Sequence, residues 1–230
     1  ALLAQPLSIE AAEALACEAG ETELVIENDA PQFCRRYTGR VIRNLSVGQS
    51  PEWIQARLSS IGERSINAVV DALNYAMFDR GQPMHAFDAA QVTGPIRVRM
   101  AHNGEQITLL TGETIELTAD DAVIADDEKA LALAGVKGGK AAEVTEQTTA
   151  VILEVAHFDP VAVRKTRQRH NLATESSKRF ENEITPVWTR EAMQYASALI
   201  CKSVGDQSRA EPIVDVGETV YDQGSVAVSQ

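Results

Sequence analysis

Six short apolar segments follow one another between Pro95 and Ala156, and no helical pattern separates any two of them. In each, the apolar residues alternate or run together over four to seven positions, as is typical of β-strands. Consecutive parallel strands need a crossover, usually a helix, and this stretch leaves no room for one. The sequence therefore predicts antiparallel or mixed sheets, with Thr111-Gly112 at a hairpin turn. The segments are PIRVRM, EQITLL, TIEL, DAVIA, KALALAG and AVILEVA.

Two helical patterns precede these segments, after an alternating strand-like stretch that begins at Tyr37. The first helix is expected to start with Ser50 as the N-cap and Pro51 at the first helical position, and to end at Gly62. The second is expected to end at Gly81. The predicted apolar stripe of the first helix consists of Trp53, Ile54, Leu58 and Ile61.

Three helical segments follow the strands: DPVAVRKTRQRH, the short ESSKRFEN, and a last one that runs from Pro186 to Gly205. Asp159-Pro160 and Thr185-Pro186 are typical of helix starts, with a capping side chain followed by proline. Helices grouped on both sides of a run of strands indicate an α+β fold. Mixed and antiparallel β layers should pack against flanking helices.

The expected domain organisation has three parts. Residues 1–30 are acidic and rich in Ala and Glu, and are predicted to be a linker with one short helix around residues 9–16. Residues 31–205 form the main domain, and residues 206–230 an extended tail toward a following domain. Since the sequence begins without Met or a signal pattern, we expect a piece of a longer protein.

Composition narrows the classes of protein. With 44% hydrophobic and 23% charged residues, a packed core is expected. No stretch reaches the roughly 20 apolar residues of a membrane span, so no membrane partner is expected. The net charge of −12 argues against nonspecific binding to nucleic acid, which needs an excess of Lys and Arg. Cys17, Cys34 and Cys201 fit neither a disulfide framework nor metal-ligand spacing, and indicate a reducing cytoplasm.

Familiar catalytic motifs are missing from the sequence. GVKGGK, from Gly135 to Lys140, lacks the Ser or Thr that a phosphate-binding loop carries after its lysine. Neither a Gly-x-Ser-x-Gly elbow nor a His-Glu-x-x-His metal motif occurs. The residues themselves lead only to an α+β domain with an unusual polar stretch, DALNYAMFDRGQPMHAFD, which holds Asn74 and His85. A local turn capped by His85 and Asp88 would also explain this stretch.

Glu154 is the one charged residue of the segment AVILEVA. By strand alternation it faces the same way as Ile152 and Ala156, which favours an inward position. On pattern alone, a glutamate on a half-exposed strand face is equally compatible.

Three long collinear segments carry a family resemblance: INAVVDALNYAMFDRGQPMHAFD, VIADDEKALALAGVKGG and AVILEVAHFDPVAVRKTRQRHNLATESSKRFE. In order and spacing they resemble the B3/B4 editing region of the bacterial phenylalanyl-tRNA synthetase beta chain. The resemblance spans roughly residues 31–186. It implies hydrolysis of tyrosine wrongly attached to the phenylalanine tRNA.

The resemblance also implies a set of site residues. Glu154 would accept the phenolic proton of tyrosine, and the backbone N–H of Gly135, beside Ala134, would donate to the phenol oxygen. His85 and Asn74 would hold the ester end and the attacking water. Thr174 and Ser176 would line the pocket.

Partners follow from the resemblance as well: the acceptor end of tRNA(Phe), tyrosine as editing ligand, and the synthetase alpha chain in an alpha2-beta2 heterotetramer. No cofactor is implied in this domain, while the parent enzyme implies ATP and Mg in other domains. Arg164, Arg167 and Arg169 could meet the tRNA end, although the pattern favours a solvated helix face.

Leu73 stands where the family usually has Thr. It therefore supports one alternative, a non-catalytic module that only supports the synthetase or positions tRNA. A free-standing deacylase of other specificity is the second.

Overall fold

The computed structural model describes residues 20–205 and 207–217, so the short helix predicted around residues 9–16 lies outside it. In the described residues the α-helices are α1 Glu52–Ser60, α2 Ala68–Arg80, α3 Pro160–Arg169, α4 Glu175–Phe180 and α5 Thr189–Val204. The strands are β1 Ile26–Asn28, β2 Cys34–Arg43, β3 Met84–Asp88, β4 Ile96–Met100, β5 Gln106–Thr108, β6 Thr114–Glu116, β7 Ala122–Ala125, β8 Ala130–Leu133, β9 Lys137–Gly138, β10 Ala150–Phe158, β11 Arg209–Ala210 and β12 Val214–Gly217. Short 3₁₀ turns cover Ala89–Gln91, Lys140–Ala142 and Pro186–Trp188.

These strands form two main sheets and a hairpin. The first sheet has the order β11-β2-β10-β3, with β12 also pairing with β2, and all its pairs are antiparallel. The second has the order β1-β4-β7-β8-β9 and is antiparallel except for the pair β1-β4. The predicted hairpin pairs β5 with β6 around Thr111-Gly112. The predicted α+β class is confirmed.

Strand β10 divides the interior into two cores. Ile152 and Ala156 belong to the first core, which also holds buried residues of β4, β7 and β8 and therefore lies between the two sheets. Val151, Leu153 and Val155 belong to the second core, together with buried residues of α2 and α5. Because successive strand residues point to opposite faces, Glu154 faces the first core, as alternation predicts.

The predicted start of α1 is wrong. The helix begins at Glu52, and Pro51 occupies the cap position without a side-chain hydrogen bond. The Ser50 hydroxyl donates instead to the Asp71 carboxylate, which a local helix-start pattern does not reveal. The predicted stripe is also too wide, since Ile54 and Leu58 are buried while Trp53 and Ile61 are about half exposed. The Trp53 ring packs edge-on against Tyr75, 5.1 Å between centroids.

Strands also lie on both sides of the expected domain limits. Strand β1, inside the predicted linker, pairs with β4, and strands β11 and β12, inside the predicted tail, pair with β2. Segments of two to four residues carry too little alternation to be recognised as strands. They are stabilised by partners far away in the sequence.

Asp71 holds the start of α2 in place. Its carboxylate is fully buried and accepts hydrogen bonds from Ser50 Oγ, from Ser65 Oγ at 2.6 Å and from Ile66 N at 2.8 Å. Together these bonds fasten the loops on both sides of α1 to α2. Buried hydrogen bonds to a charged group stabilise more than neutral ones, and their donors are left unsatisfied when the acceptor is removed.

We expect Asp71→Ala to lower the free energy of unfolding by about 3 kcal/mol, because the buried Ser50 hydroxyl loses its acceptor and two further hydrogen bonds to the carboxylate are lost. Urea unfolding of the variant and the wild type measures the difference. Glu146→Ala, which removes an exposed loop carboxylate, is the control and should change stability by less than about 0.5 kcal/mol. Equal losses in the two variants would contradict this account of Asp71.

Candidate functional site

A narrow cavity opens where an edge of the first sheet meets an edge of the second. Strands β3 and β10 form one wall, strands β8 and β9 with the turn between them form the other, and α4 closes the rim. Water-sized molecules can occupy about 50 Å³ of it, which is room for a few waters. The cavity is lined by Pro83, Met84, His85, Ala132, Leu133, Ala134, Gly135, Val136, Lys137, Gly138, Glu154, Ser176 and Phe180.

Glu154 places a carboxyl group in this cavity from the middle of β10. The side chain is buried, with 8% of its surface exposed, and one oxygen, Oε2, accepts a hydrogen bond of 2.9 Å from the Tyr37 hydroxyl. Burial raises the pKa of Glu154 to about 7, although the hydrogen bond from Tyr37 opposes the shift. Near neutral pH the group therefore exchanges between a proton donor and a charged acceptor.

His85 lies directly opposite Glu154 in the pairing of β3 with β10. Directly opposite residues of an antiparallel pair share a face, with Cβ atoms about 5 Å apart. The imidazole packs edge-on against Phe87, 4.7 Å between centroids. Burial lowers the pKa of His85 to about 4, so the ring is neutral at physiological pH and offers both a donor and an acceptor nitrogen.

A strand brings His85 to the cavity. The sequence also allowed a local turn capped by His85 and Asp88, but His85 belongs to strand β3. The turn is tied to β10 by Gln82, whose Nε2 donates to the carbonyl of Ala156 at 3.0 Å. His85 is therefore placed by sheet pairing and not by a local cap.

Gly138 leaves room for the His85 ring. A Cβ at Gly138 would lie 2.5 Å from His85 Cε1 and 2.8 Å from Nε2, closer than side chains pack. Sequence reasoning did not single out this glycine. The glycine pair of VKGG, directly after a predicted strand, indicates that another group approaches the backbone closely there. It does not indicate that this group is His85.

Gly135 and Ala134 lie in the turn that follows β8, on the cavity wall. Gly135 has a φ of +71°, the left-handed region that favours glycine. A Cβ there would also lie 2.9 Å from Val163 Cγ2 and 3.0 Å from Phe158 Cδ2. Backbone conformation and packing thus explain the glycine, and the expected role of its N–H stays a prediction.

The two hydroxyl residues of α4 have different surroundings. Thr174 caps the helix, accepting from Ser177 N at 3.0 Å, and donates to the carbonyl of Val136 at 2.8 Å. It therefore holds α4 against the turn after β8 and is not among the cavity-lining residues. Ser176 does line the cavity, and its Oγ lies 3.9 Å from Met77 Sδ.

Asn74 is not brought to the cavity wall. It lies on α2, which packs against the opposite face of the first sheet, in the second core. Met77, one helical turn later, is the α2 residue that contacts Ser176 at the rim. Leu73 is buried in the second core, so its identity does not alter the cavity.

Two of the three arginines expected near a tRNA end are paired within the chain. Arg167 lies 2.9 Å from Glu181, and Arg169 binds the fully buried carboxylate of Asp121. Arg164 is exposed. Two of these three guanidinium groups are thus held by carboxylates of this chain, and a contact of the run with tRNA stays a prediction.

A wider cleft on the same sheet face, between β1 and β2, offers less chemistry. Its charged side chains include Glu27 and Arg43. Both form ion pairs, Glu27 with Arg97 at 2.6 Å and Arg43 with Glu211.

In residues 20–205 and 207–217, no three His, Cys, Asp or Glu side chains lie close enough together to hold a metal ion. Over the same residues, no helix combines the length and the apolar character that a membrane crossing needs.

The model of the B3/4 domain family matches residues 33–205 of this sequence. The chain belongs to the B3/4 domain family, and the predicted resemblance is confirmed.

Curated relatives are phenylalanine–tRNA ligase beta subunits. The one from Pectobacterium atrosepticum is 42% identical over 192 residues, which is 83% of this chain and 24% of that protein. The one from Vibrio parahaemolyticus is 44% identical over 197 residues, 85% of this chain and 24% of that protein. The chain thus spans about a quarter of the length of these relatives and corresponds to their B3/4 region.

A solved structure, an N-terminal fragment of the phenylalanyl-tRNA synthetase beta subunit from Pyrococcus horikoshii, matches with a TM-score of 0.52. The match covers 87% of this chain and 56% of that one, at 11% identity. At this identity the likeness shows the fold alone.

The raised pKa of Glu154 has a consequence for stability. The folded-state pKa of about 7 exceeds the ordinary value of 4.5, so the folded chain holds this proton more tightly than the unfolded chain. Stability therefore falls as pH rises from about 4.5 to 7, by roughly 3 kcal/mol. Glutamine cannot ionise, so Glu154→Gln should match the wild type at pH 4.5 and be roughly 2–3 kcal/mol more stable at pH 8.5.

Urea unfolding of the 230-residue chain at the two pH values measures this difference. Glu146→Gln, which changes an exposed carboxyl group, serves as the control and should show the same small difference at both. If the gap between Glu154→Gln and the wild type did not widen with pH, Glu154 would not be a buried acid with a raised pKa.

Proposed function

We propose that this domain edits mischarged tRNA, hydrolysing the ester that joins tyrosine to tRNA(Phe). The single observation that carries the proposal is the carboxyl group of Glu154, buried in a cavity whose other lining is mainly apolar or backbone. A buried carboxyl group in this position can accept a hydrogen bond from a ligand that brings a hydroxyl group into an otherwise apolar pocket. The membership of the B3/4 family and the beta-subunit relatives support the same reading.

The chemical need for such a site is clear. Tyrosine is phenylalanine with one added hydroxyl group. An apolar pocket that selects the amino acid for aminoacylation rejects such an added hydroxyl by only about 100-fold. A site that hydrogen-bonds the hydroxyl discriminates by roughly 10⁴–10⁵, because an analogue without it leaves buried polar groups unpaired. In the proposal, Glu154 accepts from the phenol and the Gly135 N–H donates to its oxygen.

In hydrolysis, the bond between the tyrosine carbonyl carbon and the ribose oxygen breaks. Water supplies the hydroxyl that completes the free carboxyl group, and its remaining proton goes to the ribose oxygen. An amino-acid ester is already activated, so orienting the water is a substantial part of the catalysis. His85, opposite Glu154 and neutral at physiological pH, can accept a hydrogen bond from that water.

The proposed partners are tyrosine, the acceptor end of tRNA(Phe) and the synthetase alpha chain in an alpha2-beta2 assembly. The domain itself needs no cofactor, and ATP and Mg belong to other domains of the parent enzyme. Asn74, Thr174 and Arg164 would act outside this cavity. The cavity, about 50 Å³, is smaller than the roughly 150 Å³ of an engineered cavity that binds benzene, so the proposal requires it to widen for an aromatic side chain.

The decisive experiment uses the full synthetase that contains this domain, with purified Tyr-tRNA(Phe) and Phe-tRNA(Phe). Glu154→Ala removes the phenol acceptor and should lower kcat/KM for Tyr-tRNA(Phe) by roughly 10- to 100-fold, the worth of one hydrogen bond to a charged group. The preference for tyrosine over phenylalanine should disappear. Glu146→Ala is the matched control and should keep both rates. Normal clearance of Tyr-tRNA(Phe) by Glu154→Ala would overturn the assignment, and no clearance by the wild type would favour a supporting module.

His85 is tested separately. His85→Ala should slow deacylation by roughly 100-fold if the ring orients or deprotonates the water. Since the pKa of His85 is about 4, its protonation should not reduce the wild-type rate until the pH approaches that value. Single-turnover deacylation from pH 5 to 9 measures both. A variant as fast as the wild type would show that His85 only packs against Gly138.

A further inference from the structure

Tyr37 lies directly beneath the candidate site. It is fully buried in strand β2, opposite Ala156 of β10, and therefore diagonal to Glu154 on the same sheet face. Its hydroxyl donates the 2.9 Å hydrogen bond to Glu154 Oε2. Among the described residues it is the one group that the structure shows hydrogen-bonded to that carboxyl group.

The neighbouring positions explain why this contact falls to Tyr37. The residue directly opposite Glu154 on β2 is Gly39, which has no side chain to offer. The space above Gly39 is filled by Ile26, whose Cδ1 would lie 2.6 Å from a Cβ at that position. The carboxyl group is therefore fixed from below by a phenol that reaches it diagonally.

We propose that Tyr37 is a positioning residue that sets the specificity of this site, holding Glu154 Oε2 so that Oε1 remains for the hydroxyl of a bound tyrosine. The inference rests on the proposed function. The Tyr37 hydroxyl binds one carboxyl oxygen of Glu154, and the hydroxyl of the ligand's tyrosine binds the other. A glutamate side chain has three rotatable bonds, and the Tyr37 bond removes much of that freedom before the ligand arrives.

The same hydrogen bond controls the charge on Glu154. A donor to the ionised form lowers a carboxyl pKa, here against the effect of burial. Two of the other titratable groups near the carboxyl group carry no charge near neutral pH. Cys34 on β2 has a pKa raised by burial and stays protonated, and His85 on β3 stays neutral. Lys137 on β9 also lines the cavity.

Removing the Tyr37 hydroxyl should therefore keep Glu154 protonated to higher pH. A neutral carboxyl group binds a phenol more weakly than a carboxylate does. We expect Tyr37→Phe, which keeps the ring, to lower kcat/KM for Tyr-tRNA(Phe) about tenfold at pH 7. The loss should shrink as pH rises, with the midpoint of the pH profile displaced upward.

The test measures deacylation by the full synthetase from pH 6 to 9. Tyr195→Phe is the matched control, because burial and the neighbouring Asp79 also raise the pKa of Tyr195, which is not among the cavity-lining residues. It should leave the profile in place. A Tyr37→Phe profile that superimposes on the wild type, or a loss equal at every pH, would overturn the inference, since a purely structural defect does not move a pH midpoint.

A second measurement does not depend on editing. The stability difference between Glu154 and Glu154→Gln, followed against pH by urea unfolding, reports the titration of Glu154. In the Tyr37→Phe background its midpoint should lie at higher pH than in the wild type. An unmoved midpoint overturns the inference alone. If instead the midpoint moves and the wild-type enzyme does not clear Tyr-tRNA(Phe), the proposed function fails, and the role of Tyr37 in tyrosine specificity fails with it.

Discussion

The pairing of β10 along both of its edges is the constraint on which the rest of the structure depends. β2 pairs with β10 on one side, and β3 pairs with Val151–Val155 on the other, so the side chains of this central part point alternately into the two cores. A shift of one residue would exchange the two faces, moving Glu154 into the helix-covered core and Leu153 toward the second sheet. The same pairing brings in His85 from β3 and Tyr37 from β2. The site is thus assembled by sheet register, from residues more than 100 positions apart in the case of Tyr37 and Glu154.

Burying a carboxyl group is costly, and within residues 20–205 and 207–217 the carboxyl group of Glu154 has a single hydrogen bond, from Tyr37. Asp71 and Asp121 show the structural alternative. Each is fully buried and has at least three donors, which stabilises the charge and makes it part of the framework. Glu154 has one hydrogen-bond donor among the described residues and a cavity beside it, and its pKa rises to about 7. Carboxylates with several hydrogen-bond donors thus stabilise the fold, whereas the carboxyl group with few donors is the one proposed to bind a ligand.

The sequence predicts those features of the fold and the site that neighbouring residues determine, and it misses those that depend on residues far apart in the chain. The nine residues of β10 alternate long enough to place Glu154 inward, and Gly81 ends α2 as expected, in the left-handed conformation. Strand β3 has only five residues, MHAFD, which are too few to distinguish a strand from the alternative of a turn capped by His85 and Asp88. Ser50 has the pattern of a helix cap, which accepts a hydrogen bond, but its hydroxyl donates instead to Asp71, 21 residues away. Tyr37 was missed because a diagonal contact across a sheet requires the register, which no local pattern contains.

The cavity belongs to neither sheet alone, because it lies in the seam between their edges. Residues from the first sheet, Glu154 and His85, bring the chemistry, while Ala132, Gly138 and their neighbours in the second determine how much room there is. A change at Ala132 can therefore resize the cavity without touching the hydrogen bond between Tyr37 and Glu154, whereas a side chain at Gly138 would collide with the His85 ring. Substitutions of this kind would let the domain accept a larger or smaller ligand while the residues that recognise it stay the same.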